Sequence, residues 1–500
     1  MINNQSATGN LLLVKIGTEP KLEQVVDQLR ILLPQVKLLG VETENPNTRN
    51  IYDSVVAHSA DTVLASYPEY FSKGLFLDRT IFKKLIATEG LLLRATQTTV
   101  IHDLSIANHP PFPVPRFRDT VEDRLQLVYR HLAYWDYIFQ RDEVTAVVSQ
   151  NYGHNPFGLS IESIARARGI PVLFFHEVRP FLESLYICET INDLSSPSFG
   201  QSLIAEAGAR GWLYPDSETR RKRMRSQTIA KSQEPILSPT IFYRYAQKGN
   251  AIVRSATHFR SNFFRKTLES LKKEIRTKRS QNDEKSVATT KVPNKYFLME
   301  LQSQPNGTTL RKGWMYPDQR EAIAEIAFNL PDEYSLLVRE SPRQWARRYP
   351  RRPRFWSVIS SLPKVIVVDP TVDITALIDG ATALVETSYS TQSFNALSQV
   401  KPVLVLGVTH LWGVTGVVGL ENFESTKDAI KQVLENAANP PSKGELIDSL
   451  ENLIDLTKNS TLEGALSSTP TSEPNLIEYL DRITQNVAAI IATWYLRIQS

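Results

Sequence analysis

The sequence predicts an α/β protein built from two doubly wound, mainly parallel sheets, with helices docking at its C-terminal end. Three observations carry that reading. Short apolar runs alternate with amphipathic stretches in both halves of the chain, and helices between strands imply parallel pairing. The chain has 500 residues, more than one hydrophobic core usually organises, so two domains are expected. The stretch Leu476–Tyr495 carries an apolar face at helical spacing.

Bulk composition narrows the class. Apolar residues at 42% and charged residues at 22% allow a sizeable core and exclude global disorder. The formal charge of +4 is small for this length, so no nucleic-acid partner is expected. A single cysteine, Cys188, can form neither an internal disulfide nor a thiolate cage and predicts a reducing, cytoplasmic setting. Met1–Asn10 is polar, with no basic region followed by an apolar core, and no stretch approaches roughly 18 uninterrupted apolar residues, so neither export nor a membrane span is expected.

In the first half, Leu11–Ile16 reads as a strand and Lys21–Leu33 as an amphipathic helix. Thr98–His102 reads as a strand, Val121–Phe139 as a helix, Thr145–Ser149 as a strand, Leu159–Arg168 as a helix and Val172–Phe175 as a buried strand. From about Ser195 to Thr290 the pattern degrades. Thr219–Arg225 is a basic run, and Ala251–Arg279 is a long basic helix candidate with Phe259, Phe263, Phe264, Leu268, Leu271 and Ile275 at helical spacing. That helix packs on the first domain or lies on a membrane surface. Ser280–Thr290 is polar and is expected to be the linker between domains.

The second half alternates without interruption. Strands are expected at Tyr296–Glu300, Ser335–Arg339, Val365–Val368, Ala383–Glu386 and Val403–Leu406, and helices at Asp318–Asn329, Arg354–Ser361, Ile374–Asp379 and Thr391–Gln399. This is one Rossmann-like domain. The predicted division is 1–290 for an N-terminal α/β domain with a basic helical insertion, 291–450 for the second domain, and 451–500 for helices that pack back on the body. In the last of these, Leu476, Tyr479, Leu480, Ile483, Val487, Ile490, Ile491 and Trp494 share a face.

Ligands of open parallel sheets bind beyond the carboxyl ends of the strands. Three loops at such positions are polar: Gln302-Ser303-Gln304, Arg339-Glu340-Ser341, and Ser388 to Thr391. Ser390 and Thr391 open a helix, where hydroxyls and free N–H groups either bind phosphate oxygens or merely cap the helix. Arg339 is suited to neutralising a phosphate leaving group and Glu340 to accepting from ribose hydroxyls, or the two form a local salt bridge. Between Arg343 and Trp356, arginines alternate with aromatics; this cluster is either a grip for an anionic acceptor, a lipid-linked glycan or lipid headgroups, or a charged surface connection. No phosphate-binding Gly-x-x-x-x-Gly-Lys-Ser/Thr loop, His-Glu-x-x-His, Cys-x-x-Cys or Asp-x-Asp pair occurs, so metal-independent chemistry is expected.

Four segments, Tyr296-Phe-Leu-Met-Glu-Leu-Gln-Ser-Gln-Pro305, Leu336-Leu-Val-Arg-Glu-Ser-Pro342, Thr387-Ser-Tyr-Ser-Thr-Gln-Ser-Phe-Asn-Ala-Leu397 and Lys401-Pro-Val-Leu-Val-Leu-Gly407, resemble the surface- and capsular-polysaccharide biosynthesis glycosyltransferases of the GT-B fold, including the Kdo-transferase-like capsule proteins. The resemblance spans about Lys295 to Val417. It departs from the family where a Lys-Glu-His-Pro block is replaced by Arg339-Glu340-Ser341-Pro342, and where Gln392, Ser393 and Asn395 stand in a Gly-x-Glu-Ala-like run. The resemblance implies two Rossmann-like domains facing a central cleft. A nucleotide-sugar donor would be held on the second domain by Gln302, Ser303, Gln304, Arg339, Glu340, Ser341, Ser388, Ser390 and Thr391. The donor is a substrate, and no further cofactor is implied. Inverting transfer to a surface or capsular glycan, free or lipid-linked, would need a general base from the first domain. His154, Glu177 and Asp103 are the first candidates, all at expected strand ends, with His176 and His102 beside them. Such a protein works in the cytoplasm or at the inner face of the membrane. Two other readings stay open: a nucleotide-sugar epimerase and a non-catalytic glycan-binding scaffold.

Overall fold

The structure, a computed structural model, describes residues 7–14, 16, 23–41, 52–57, 77–87, 121–150, 156–178, 184–196, 198–216, 220–225, 275–304, 312–313, 316, 318–341, 344, 351, 354–388, 390–411, 413–463 and 476–500. The chain divides into two compact units, Met1–Gln227 with Asn452–Ser500, and Thr228–Glu451.

The first unit runs β1 (Gly9–Val14), α1 (Glu23–Leu32), β2 (Val36–Val41), β3 (Ser54–Ala57), α2 (Arg79–Ala87), α3 (Val121–Arg141), β4 (Val144–Ser149), α4 (Pro156–Arg168), β5 (Val172–Val178), β6 (Ser184–Cys188), α5 (Ser198–Ala209) and α6 (Arg220–Arg225). β3, β2, β1, β4 and β5 lie side by side in that order and are parallel. Leu11 and Leu13 enter one core cluster and Leu12 and Val14 the other, as the two-residue period of a strand dictates. Both faces are covered, which is why the strand reads as an unbroken apolar run. β6 runs antiparallel to β5, because residues 179–183 are too few for the crossover that a parallel neighbour requires. The expected strand at Thr98–His102 lies outside the described residues.

The second unit runs β7 (Tyr296–Glu300), α7 (Gln319–Asn329), β8 (Ser335–Arg339), α8 (Phe355–Ser360), β9 (Val365–Val368), α9 (Ile374–Gly380), β10 (Ala383–Glu386), α10 (Thr391–Ser398), β11 (Val403–Val405), β12 (Val417–Gly419) and α11 (Thr426–Ala438). From β7 to β11 these elements match the expected ones to within one residue at each end. The sheet order is β12-β11-β10-β7-β8-β9, with every pair parallel. The chain therefore starts in the middle, winds out to β9, returns to β10 beside β7 and winds out the other way. The crevice between the carboxyl ends of β7 and β10 is its topological switch point.

The polar stretch expected as a linker is different in the structure. Residues 275–287 are helical and group with the second unit. The buried face of this helix is polar: Thr277, Ser280 and Glu284 are less than a tenth exposed. Ser280 Oγ accepts from the Arg351 backbone N–H at 3.2 Å, and Asp283 accepts from that of Trp356 at 3.2 Å. Docking through hydrogen bonds leaves no apolar stripe in the sequence, so the segment imitates a linker.

The chain returns to the first unit through α12 (Lys443–Ser460), β13 (Thr461–Glu463) and α13 (Leu476–Gln499). β13 pairs antiparallel with β6. The basic run of α6 secures it: Arg220, 2% exposed, donates to Thr461 O at 3.1 Å and to its Oγ1 at 2.7 Å, while Arg223 and Arg482 share Glu463. α13 lies against α1 and α5 with Tyr479, Ile483, Val487, Ile490, Ile491 and Trp494 buried. Among the described residues, no helix is long and apolar enough to cross a membrane.

Candidate functional site

At the switch point of the second sheet, β7, β8 and β10 end on Glu300, Arg339 and Glu386. Each apolar strand thus delivers a charged group to the same edge. Arg339, 5% exposed, donates from Nη1 to Glu300 Oε1 at 2.7 Å and from Nη2 to the Pro370 carbonyl at 2.8 Å. Burial pushes the Glu300 carboxyl up, and the neighbouring guanidinium offsets this in part.

Glu340 is fully buried. Its carboxylate takes a two-point contact from Arg351, Nε to Oε2 and Nη2 to Oε1, both at 2.7 Å, and also accepts the Ser341 N–H at 2.7 Å. Desolvation nevertheless raises its pKa, with Arg351 pulling the other way. Arg351 reaches further: Nη2 donates to the Gln302 carbonyl at 3.0 Å, and Nη1 to Gln304 Oε1 at 3.2 Å and Gln319 Oε1 at 3.1 Å. Gln344 clasps the Gln304 backbone, accepting its N–H at 2.8 Å and donating to its carbonyl at 2.7 Å. Gln302 donates to Ser388 O at 2.5 Å and accepts from Ser388 Oγ at 3.0 Å. That last pair bridges the switch point, tying the loop after β7 to the loop after β10.

Glu386, 2% exposed, turns back on the start of α10. It accepts the Ser390 backbone N–H at 2.8 Å and the hydroxyls of Ser390 and Ser393. A carboxylate at a helix N-terminus is favoured by the helix dipole, and here it occupies donors that an incoming phosphate would use. Burial pushes the Glu386 carboxyl up to about 7, the serine hydrogen bonds opposing that rise and the charge of Glu300 adding to it.

Beside this network, Gly407 follows β11. A side-chain carbon there would collide with the Lys312 carbonyl and lie 2.6 Å from the Thr387 carbonyl, so glycine is required by close backbone approach. Gly407→Ala is expected to cost roughly 1–3 kcal/mol, measured by urea unfolding. A change below a few tenths would show that the two carbonyls are not held there. His410, 2% exposed, is kept well below its ordinary pKa by burial and by Lys312.

The structure thus gathers Gln302, Ser303, Gln304, Arg339, Glu340, Ser341, Ser388 and Ser390 at one sheet edge. Ser303 Oγ is buried and has no hydrogen bond among the described residues. Arg339 and Glu340 do not pair with each other: Arg339 donates to Glu300 and Pro370 while its buried Nε makes no hydrogen bond among the described residues, and both oxygens of Glu340 are taken by Arg351 and Ser341. Thr391 is the first residue of α10. Glu300, Glu386 and Gln319 were missed by sequence reasoning, whereas Gln344 and Arg351 belong to the cluster expected as an anion grip or a charged surface connection, and both are buried. The rule that singled out Arg339, a charge ending an apolar strand, applies equally to Glu300 and Glu386. No local pattern separates Arg351 from the arginines around it.

In the first unit, Glu177 is half-buried on β5 opposite Leu185, and His176 beside it is buried. Asp103, His102 and His154 lie outside the described residues. Among the described residues, no group of three or more histidine, cysteine, aspartate or glutamate side chains could hold a metal ion.

No protein-family model matches the chain, and no curated protein matches it. Similar solved structures include the UDP-GlcNAc 2-epimerase of Methanocaldococcus jannaschii, at 13% identity over 89% of this chain and 98% of that one, TM-score 0.24. A glycotransferase of kitacinnamycin matches at 10% identity over 96% and 99%, TM-score 0.24. A calicheamicin glycosyltransferase matches at 12% identity over 97% and 98%, TM-score 0.23. At these scores the likeness transfers no reaction to this chain; the α/β class rests on the strand orders above.

Proposed function

We propose that this chain is a nucleotide-sugar-dependent glycosyltransferase whose second unit holds the donor nucleotide at the β7/β10 switch point. One observation carries the reading: polar side chains from three strand-end loops are tied to one another there, by Gln302 with Ser388 and by Arg351 with Gln302, Gln304 and Gln319. Such a network gives a rigid polar floor at the position where doubly wound sheets take nucleotides. In this reading the diphosphate lies along Ser388 to Thr391 at the start of α10, Arg339 supplies positive potential to the leaving group, and Gln302, Ser303 and Gln304 face the ribose and sugar. Transfer is metal-independent and inverting, and the acceptor is a surface or capsular glycan.

A thermal-shift series with CMP-, UDP-, GDP- and dTDP-sugars tests it. One nucleotide class is expected to stabilise the protein, by about 2.7 kcal/mol at a hundredfold excess over Kd. Absence of any shift with all four removes the proposal.

A second reading, an epimerase acting on the donor alone, is favoured by one feature, the buried Glu386 carboxyl that titrates near neutrality at this edge. Incubation with the stabilising nucleotide sugar separates the two. An epimerised sugar without acceptor means an epimerase, whereas a sugar unchanged until glycan is added means a transferase.

A further inference from the structure

Five ionisable side chains are buried or nearly so at the carboxyl edge of β7, β8 and β10, and they do not balance. Glu300 is paired with Arg339 and Glu340 with Arg351. Glu386 is left over: it is held by one backbone N–H and two serine hydroxyls, and among the described residues no cation pairs with it. Among the described residues, its surroundings offer no substitute. α10 and β11 contain no ionisable residue. Asp379 on α9 is exposed, as are Lys427, Asp428, Lys431 and Glu435 on α11. Lys312, anchored near Gly407, lies close enough to His410 to depress its titration, and Glu300 adds repulsion. A diphosphate brought to this edge adds negative charge beside an ionised carboxylate that already holds the α10 donors.

We infer that the site takes up a proton on Glu386 when it binds the anionic donor, so that donor affinity falls as pH rises. This rests on the donor site proposed above. The neutral acid no longer repels the diphosphate, and it frees the Ser390 N–H and hydroxyl to turn to a phosphate oxygen. The carboxyl titrates near pH 7 before the ligand arrives, so the coupling falls in the neutral range.

UDP-glucose, GDP-mannose and dTDP-glucose are suitable probes because their phosphates are diesters that stay ionised throughout. Binding to the full chain is measured by calorimetry from pH 6 to pH 8.5, with proton uptake read from an indicator in weak buffer at pH 7.5. Wild type is expected to weaken up to about tenfold per pH unit above neutrality, one proton's worth of linkage, and to take up about half to three-quarters of a proton per ligand at pH 7.5. Glu386→Gln is expected to bind with little pH dependence and no uptake. Binding by wild type without uptake overturns the inference, as does an unchanged slope in Glu386→Gln, and both leave the donor site standing. Failure of every probe to bind wild type at any pH overturns the inference, and failure of a CMP-sugar as well overturns the donor site with it. Because the uptake measurement uses wild type, the result does not depend on the variant folding.

Discussion

Arg351→Met is expected to destabilise the second unit by about 3–5 kcal/mol, because it strands the buried Glu340 carboxylate without its partner. Arg351 and Glu340 are 5% and 0% exposed, so water cannot replace the lost contact without opening the unit. The guanidinium also lies 5.1 Å from the Phe355 ring centroid and holds three glutamines, Gln302, Gln304 and Gln319, so its removal releases the loop after β7 as well. Urea unfolding of the single variants and of Glu340→Leu/Arg351→Met checks this. The double variant should recover most of the loss, since an apolar pair of similar size can match a buried ion pair. A single-variant loss under about 1 kcal/mol would mean that the pair is hydrated in solution. Arg351→Lys keeps the charge but not the two-point geometry and should fall between wild type and methionine.

Glu386→Gln is expected to stabilise the protein at pH 8 by about 3 kcal/mol and to leave it nearly unchanged at pH 4.5 and below. The sign follows from the direction of the shift. The native carboxyl is raised from 4.5 to about 7, so between those values the native state keeps a proton that the unfolded state has released. The advantage of the protonated form is present in full below about 4.5, declines as pH rises towards 7 and is gone above it. Glutamine resembles the protonated acid and cannot ionise, so it keeps the advantage at every pH. Unfolding free energies at pH 4.5, 6, 7 and 8 give the comparison. A variant less stable than wild type at pH 8 would show that ionised Glu386 is favoured by the helix dipole and the serines more strongly than burial disfavours it.

How far the sequence could be read differed along the chain for physical reasons. From Tyr296 to Leu406, strands are buried on both faces and helices lie between short loops, so apolar run length and helical period mark each element. β2, β3, α2, β6, α5, β12, α11 and β13 were not anticipated. The Ser280–Thr290 segment was misjudged because its helix docks through Ser280 and Asp283, and hydrogen bonds to a neighbouring backbone leave no periodic apolar trace. The α6 arginines read only as a basic run, and Arg220 is buried against Thr461, a partner 241 positions away.

What the sequence by itself determined is the α/β class, the elements from β7 to β11 and the polar character of the loops at the edge of their sheet, since each depends on neighbours within a turn or a strand. Only the tertiary structure decided how those polar groups are spent. Arg339 goes to Glu300, Glu340 to Arg351, and Ser390 to Glu386. Partner choice among charges depends on distance and burial after strands far apart in the chain have been laid side by side, and neither quantity is written in local order.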